Sequence, residues 1–203
     1  FRAALTMNIG MTRTHDAMAR QSSALNDAQR VTVREHPLRS AAVLRELGVH
    51  DALWLQLVQE HHERPDGSGY PAGKPVSLLA QRLLQMADVY VACISPRQGR
   101  GGLLSQQVAR ELYLGPDHQP DALGALFVKH IGFYPPGSYV RLASGEVAVV
   151  TRRGTKANAP QVFSIVGRQG MPLGEPTLRD TLDPAHEVKA SLPPGEVRVM
   201  VNV

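Results

Sequence analysis

HHERPDGSGYP, residues 61–71, decides how this chain is read. Two adjacent histidines close a run with helical spacing, and a glycine-rich turn holding a tyrosine and a proline follows at once. In the segment before it, HDALWLQLVQEHHE (50–63), Asp51 stands at a cap position and Leu53, Trp54, Leu57 and Val58 form an apolar stripe. His61 falls four residues after Leu57 and His62 four after Val58, so both imidazoles lie on or beside the buried face. The turn itself has a plain structural reading. Gly67 and Gly69 supply unusual backbone angles, Tyr70 packs, and Pro71 stiffens the exit.

Helical spacing continues on both sides of this stretch. DAQRVTVREHPLRSAAVLRELG (27–48) is expected to be helical, with Pro37 starting a second helical segment and Gly48 ending it. SLLAQRLLQMADVYVAC (77–93) predicts another apolar helix with Ser77 as its cap and Asp88 as its one acidic residue. A carboxylate among such neighbours needs a partner or a metal. Two more helices are expected near 103–114 and 120–130, after the break at GRGG (99–102).

Beyond about residue 133 the pattern changes. FYPPG makes a turn, and short Val-rich runs follow: SYVRL (138–142), EVAVVTRR (146–153), QVFSIVG (161–167) and EVRVMVNV (196–203). ASG (143–145) fits a hairpin loop between the first two. The expected architecture is mainly α: a helical bundle over 1–132 with a small β-rich C-terminal extension over 133–203.

Composition narrows the classes. The 203 residues are 43% hydrophobic, with a net charge of +4 from 22 basic and 18 acidic residues. The arginines are scattered, a balance that suits a phosphate-bearing ligand at least as well as a nucleic-acid track, and no nucleic-acid partner is expected. Cys93 is the single cysteine, which excludes an intrachain disulfide or a cysteine-rich zinc site and points to a reducing, cytoplasmic setting. No run of 18 apolar residues occurs, so no membrane insertion is expected. The chain opens FRAALTMN, already in helix-like sequence, and is expected to be a fragment whose preceding helices are missing.

The residues with chemistry are His36, His61, His62 and Asp88. Imidazole and carboxylate suit Fe, Mn or Zn, and such a cluster can hold an ion that activates water for phosphodiester hydrolysis. Each residue also has a plainer role, as a hydrogen-bonded polar group at a helix end.

HHERPDGSGYP resembles the signature of HD-GYP domains, a branch of the HD metallophosphohydrolase superfamily. The resemblance extends to REHP (34–37), LLQMADVY (83–90), AALTMNIGM (3–11) and the tail YPPGSYVRLASGEVAVV (134–150). It implies an HD-type helical bundle with a two- or three-metal site that hydrolyses cyclic di-GMP. It places His36, His61, His62 and Asp88 on metal-ligand positions. It also implicates the loop Gly67, Ser68, Gly69, Tyr70 and Pro71 in docking to a cyclic di-GMP synthase (GGDEF) domain.

The same comparison exposes departures. The naming motif His-Asp-x-Gly-Lys falls on MNIGM, with Met7 and Asn8 in place of His and Asp and Met11 in place of Lys. A thioether is a poor ligand for Fe, Mn or Zn, and Asn8 offers only a neutral amide oxygen. The dipeptide His15-Asp16 sits too late to substitute and is expected in the loop after the motif. VACISPRQGR (91–100) replaces a more polar family segment, leaving Arg97 and Arg100 as phosphate contacts. The expectation is a degenerate domain with one divalent ion or none, weak or absent hydrolysis, and a role as a ligand-binding or protein-interaction module. The alternative is an active phosphodiesterase with an atypical site.

Overall fold

The computed structural model describes residues 1–98, 101–114, 119–197 and 199. The chain divides into two compact units, residues 1–102 and 103–203. Helices dominate the first, and the second carries a five-stranded antiparallel sheet. The architecture is the expected one, mainly α with a small β-rich C-terminal part.

In the first unit, helix α1 (Arg2–Thr6) leads into a 3₁₀ turn (Ile9–Met11) and then α2 (Thr12–Ala19). Helix α3 (Asp27–Glu46) starts from a capping box in which the Asn26 side chain accepts from the Gln29 amide and Gln29 reaches back. Pro37 lies inside α3 rather than starting a new segment, because one missing amide leaves the rest of the hydrogen-bond ladder intact. Helix α4 (Ala52–Glu60) is capped by Asp51 as expected, and ends at Glu60 with His61 as its C-cap residue. Helix α5 (Leu79–Ile94) starts one residue later than a Ser77 cap would place it: Leu78 occupies the cap position without a side-chain bond. Ala3, Met7, Ala41, Leu44, Leu55, Val58 and Leu84 form the apolar core of this unit.

The 3₁₀ turn is seated tightly on α3. The Gly10 amide donates to Ser40 Oγ at 3.0 Å. A Cβ at Gly10 would stand 2.6 Å from the Ser40 nitrogen and 2.9 Å from the Arg39 carbonyl carbon, so only glycine fits at this approach.

The second unit begins with α6 (Ser105–Leu114) and α7 (Ala122–Ile131), then strands β1 (Tyr139–Leu142), β2 (Val147–Lys156), β3 (Ala159–Val166), β4 (Pro172–Asp180) and β5 (Val188–Leu192). Strand order is β4-β3-β2-β1-β5. The β1–β2 hairpin closes at 143–145 as the sequence indicates, with Gly145 at φ 87°. Strands β4 and β5 were not expected. Both are edges, where the prolines and glycine of PLGEPTLRD break no second ladder. The expected strand at 196–203 is not seen at its start, where Pro194–Glu196 forms a 3₁₀ turn; residues 198 and 200–203 lie outside the described ones.

One buried carboxylate ties this sheet together. Glu146 accepts two bonds from Arg179 on β4, at 2.9 and 2.8 Å, and one each from Ser164 and Ser144. The Arg179 bonds hold its pKa down at about 2 despite burial. Among the described residues no helix is long and apolar enough to cross a membrane.

Candidate metal centre

Two features of the backbone aim the histidines. Pro37 has no amide hydrogen, so the carbonyl of Val33, four residues earlier, lacks its helical donor. His36 fills that vacancy: its Nδ1 lies 2.6 Å from the Val33 oxygen. On α4 the helix stops at Glu60, and the Val58 carbonyl is among those at its end. His61 Nδ1 takes it at 2.7 Å. A carbonyl oxygen only accepts, so in both rings Nδ1 carries the proton and Nε2 presents a lone pair.

Those two lone pairs face one another. His36 Nε2 and His61 Nε2 are 3.1 Å apart, and both residues are fully buried. His62 completes the group, with ring centroids 4.2 Å from His61 and 5.1 Å from His36. One nitrogen from each of the three lies within 4.8 Å of the others. His62 Nδ1 is 3.8 Å from a carboxylate oxygen of Asp88, which α5 brings to the edge of the cluster.

Electrostatics disfavour a proton as the shared cation. Burial pushes the pKa of His36 down, with the charge of His15 adding to the effect. Burial also lowers His61 to about 4, and burial together with His61, His36 and Arg64 lowers His62 to about 3. All three imidazoles are therefore neutral near pH 7 and available as ligands. Two facing lone pairs at 3.1 Å with no proton between them call for another positive charge. A divalent ion fits: nitrogens at ~2.0–2.1 Å from one ion are about 3 Å apart when they subtend roughly 100°. Asp88 has its pKa raised by burial, opposed by the charges of His15 and Arg97.

The loop after the histidines is built against them. Glu63 is buried and accepts three backbone amides, from Ala72 at 2.6 Å, Gly73 at 3.2 Å and Lys74 at 3.0 Å. The Tyr70 amide donates to the His62 carbonyl, and the Tyr70 ring stacks on His62 with centroids 4.5 Å apart and planes 21° off parallel. The guanidinium of Arg34 lies over Tyr70 at 5.9 Å. Gly69 crosses so close to the His62–Arg64 backbone that any side chain there would collide with it. Asp66 accepts from the amide and hydroxyl of Ser68, Gly67 has φ 74°, and the Tyr70–Pro71 peptide is cis.

The remaining sequence candidates fall as follows. Met7 is buried in the apolar core. Asn8 precedes the 3₁₀ turn and its carbonyl accepts the Met11 amide at 3.0 Å; its side chain caps nothing. Arg97 is exposed, and its charge reaches Asp88. Arg100 lies outside the described residues. His15-Asp16 is not in a loop: it sits within α2, close enough for the His15 charge to act on both His36 and Asp88. Spacing alone dismissed this residue, because only packing brings α2 to the site. Glu63 was also missed, although a buried acid directly after paired histidines was a visible signal.

Comparison with known proteins accords with this geometry. A family profile described as HD domain matches residues 1–115. The chain belongs to the HD-domain family. It is 35% identical over 151 residues to a cyclic di-GMP phosphodiesterase of Pseudomonas aeruginosa, covering 73% of this chain and 36% of that protein. A cyclic di-GMP phosphodiesterase of Vibrio cholerae is 33% identical over 106 residues, 48% of this chain and 21% of the relative. A 3'3'-cGAMP-specific phosphodiesterase of the same organism is 28% identical over 106 residues, 51% and 24% respectively. This HD domain, with its HHERPDGSGYP loop, is thus HD-GYP-like, and the chain spans little more than a third of the length of these relatives at most.

Proposed function

We propose that this HD-GYP-like domain works in cyclic di-GMP signalling as a catalytically impaired module, holding at most one divalent ion and binding a ligand or a protein partner. The observation that carries the reading is a split in the site. The His36, His61 and His62 nitrogens converge, while Met7, Asn8 and Met11 stand where the HD-GYP resemblance calls for a histidine, an aspartate and a lysine. His36, His61, His62 and Asp88 would hold the ion, with the Asn8 amide as a weak additional donor. Fe, Mn or Zn bound there supplies a Lewis acid that acidifies water. The protein's own share is to keep Nδ1 of His36 and His61 protonated and the imidazoles neutral, with Arg97 and Arg100 as the proposed contacts for phosphate oxygens. Without a bridging aspartate, a second ion lacks its charged ligand, which is why hydrolysis is expected to be weak or absent.

The substrate class follows from the relatives named for cyclic dinucleotides. The test is elemental analysis together with a cyclic di-GMP hydrolysis assay in a reducing buffer that mimics the cytoplasm. One ion or fewer per chain and negligible turnover support impairment. Two or more ions with robust cleavage establish the second reading, an active phosphodiesterase with an atypical site, favoured by the intact histidine geometry. The double variant Met7→His/Asn8→Asp should gain metal and turnover; a wild type already equal to it sinks the impaired reading. For a protein partner, Gly67, Ser68, Gly69, Tyr70 and Pro71 form the docking loop, and a GGDEF synthase domain is the partner to test by pull-down.

A further inference from the structure

The sheet of the second unit carries a cationic groove with no residue in common with the histidine cluster. Its origin is local. Along β2 the side chains are mostly buried up to Val150, after which Thr151, Arg152 and Arg153 are exposed in succession. In a regular strand such neighbours point to opposite faces. The pairing of β2 with β3 shifts register on both sides of Arg152, and such bulges re-aim side chains. Gly154 makes the irregularity possible, since the Ala159 carbonyl lies where its Cβ would be.

The result is that both consecutive arginines line one groove of about 710 Å³, across from Leu178, Asp180 and Leu182. A smaller cavity of about 180 Å³ adjoins it, sharing Arg153, Gly154 and Thr155, and adds Lys156 from β2 with Lys129 and His130 from the end of α7. Arg179 also lines the groove, but its Nε and one Nη are committed to Glu146. Asp180 stands two strands from Arg152 in the row Arg152–Gln161–Asp180, and its carboxylate accepts the Leu182 amide. Among the described residues, Arg152, Arg153, Lys129 and Lys156 have no carboxylate partner.

Four cations face a single lining carboxylate, that of Asp180, so they repel one another and leave a net focused positive potential. Two guanidiniums from adjacent residues match the bidentate geometry of phosphate oxygens. The opposite wall offers apolar surface beside Asp180, since Leu178 and Leu182 are 51% and 53% exposed. The volume lies within the range of small-molecule sites, roughly 300–1,000 Å³.

We propose that this groove binds a polyphosphate-bearing small molecule, with Arg152 and Arg153 on the phosphates and Lys156 and Lys129 receiving the rest of the anionic chain. The polyphosphate can come as an inorganic chain or as part of a nucleotide, whose base would lie on Leu178 and Leu182. The test is calorimetric titration of the whole 203-residue chain with inorganic pyrophosphate, ADP and sulfate, in EDTA so that no ion at the histidines can hold phosphate. Saturable binding of pyrophosphate or ADP is expected, at least tenfold weaker in R152A/R153A and tighter in D180N. ADP binding more tightly than pyrophosphate assigns the nucleotide source; equal binding assigns the inorganic one. Circular dichroism checks that the variants keep the sheet, and K129A/K156A provides a second, milder loss at exposed positions. No saturable binding to wild type, equal affinity for sulfate and pyrophosphate, or an unchanged R152A/R153A that remains folded overturns the proposal.

Discussion

His36 Nε2 and His61 Nε2 lie 3.1 Å apart, and each belongs to a ring whose Nδ1–H is already bonded to a backbone carbonyl. Neither ring can turn its proton inward without giving up that bond. A divalent ion is expected to relieve the confrontation, and either H36A or H61A should abolish its binding. Elemental analysis of each variant checks this. Thermal unfolding should show the wild type stabilised by about 2.7 kcal/mol when free ion exceeds its Kd a hundredfold, with no shift in H61A. Equal metal content in wild type and H61A would show that the ion sits elsewhere.

The same burial sets a pH dependence for the metal-free protein. His61 titrates at about 4 and His62 at about 3 in the folded state, below an ordinary 6.5. The unfolded chain therefore binds more protons between these values and pH 6.5, so folding stability rises with pH across that window. The full contribution is present above pH 6.5 and is lost as pH falls toward 3. A depression of the His61 size corresponds to roughly 3 kcal/mol. Urea unfolding in EDTA from pH 7 to 4 should show the decline, and H61Q should flatten it; a slope unchanged by H61Q would remove His61 as its source.

Gly10 should not tolerate alanine. Its added methyl would stand 2.6 Å from the Ser40 nitrogen on α3, and backbone cannot give way as a flexible side chain can. G10A is expected to destabilise the first unit by roughly 2–3 kcal/mol and to displace the segment carrying Met7, Asn8 and Met11. Chemical denaturation measures the loss, and a G10A protein as stable as wild type would mean the turn is not held as described.

Glu63 should behave as a structural clasp. Its buried carboxylate receives three amides from residues 72–74, so E63A leaves three donors unsatisfied and should cost roughly 3 kcal/mol or more. Because the same loop stacks Tyr70 on His62, E63A should also weaken metal binding, although Glu63 is no ligand. Hydrogen exchange at Ala72–Lys74 should accelerate in the variant. Unchanged exchange there would separate Glu63 from the loop.

Much of this was legible beforehand because it rests on local sequence. The Asp51 cap, the helices α6 and α7 and the β1–β2 hairpin follow from capping, periodicity and turn chemistry within a few residues. The convergence of His36 and His61 was not readable from spacing, since 25 residues and two helices separate them; the family resemblance placed them together. Pro37 misled because its missing amide usually marks a boundary, and here the helix continues around it. His15 was dismissed on register alone, although its influence on Asp88 arises across helices. Strand β4, with two prolines and a glycine, carries an edge-strand composition that resembles a loop.

Pro37 and the end of α4 have one more consequence, for how the domain withstands mutation. The orientation of His36 and His61 is encoded in main chain: a deleted amide on one side, a helix terminus on the other. Neither feature depends on the side chains at positions 7, 8 and 11. The identities at 7, 8 and 11 are side-chain matters only, on a turn whose seat is secured by Gly10 and Ser40. Methionine at 7 joins the apolar core and adds to its packing. The histidine half of the site is therefore built into the helix framework, whereas the half at positions 7, 8 and 11 depends on side-chain identity alone.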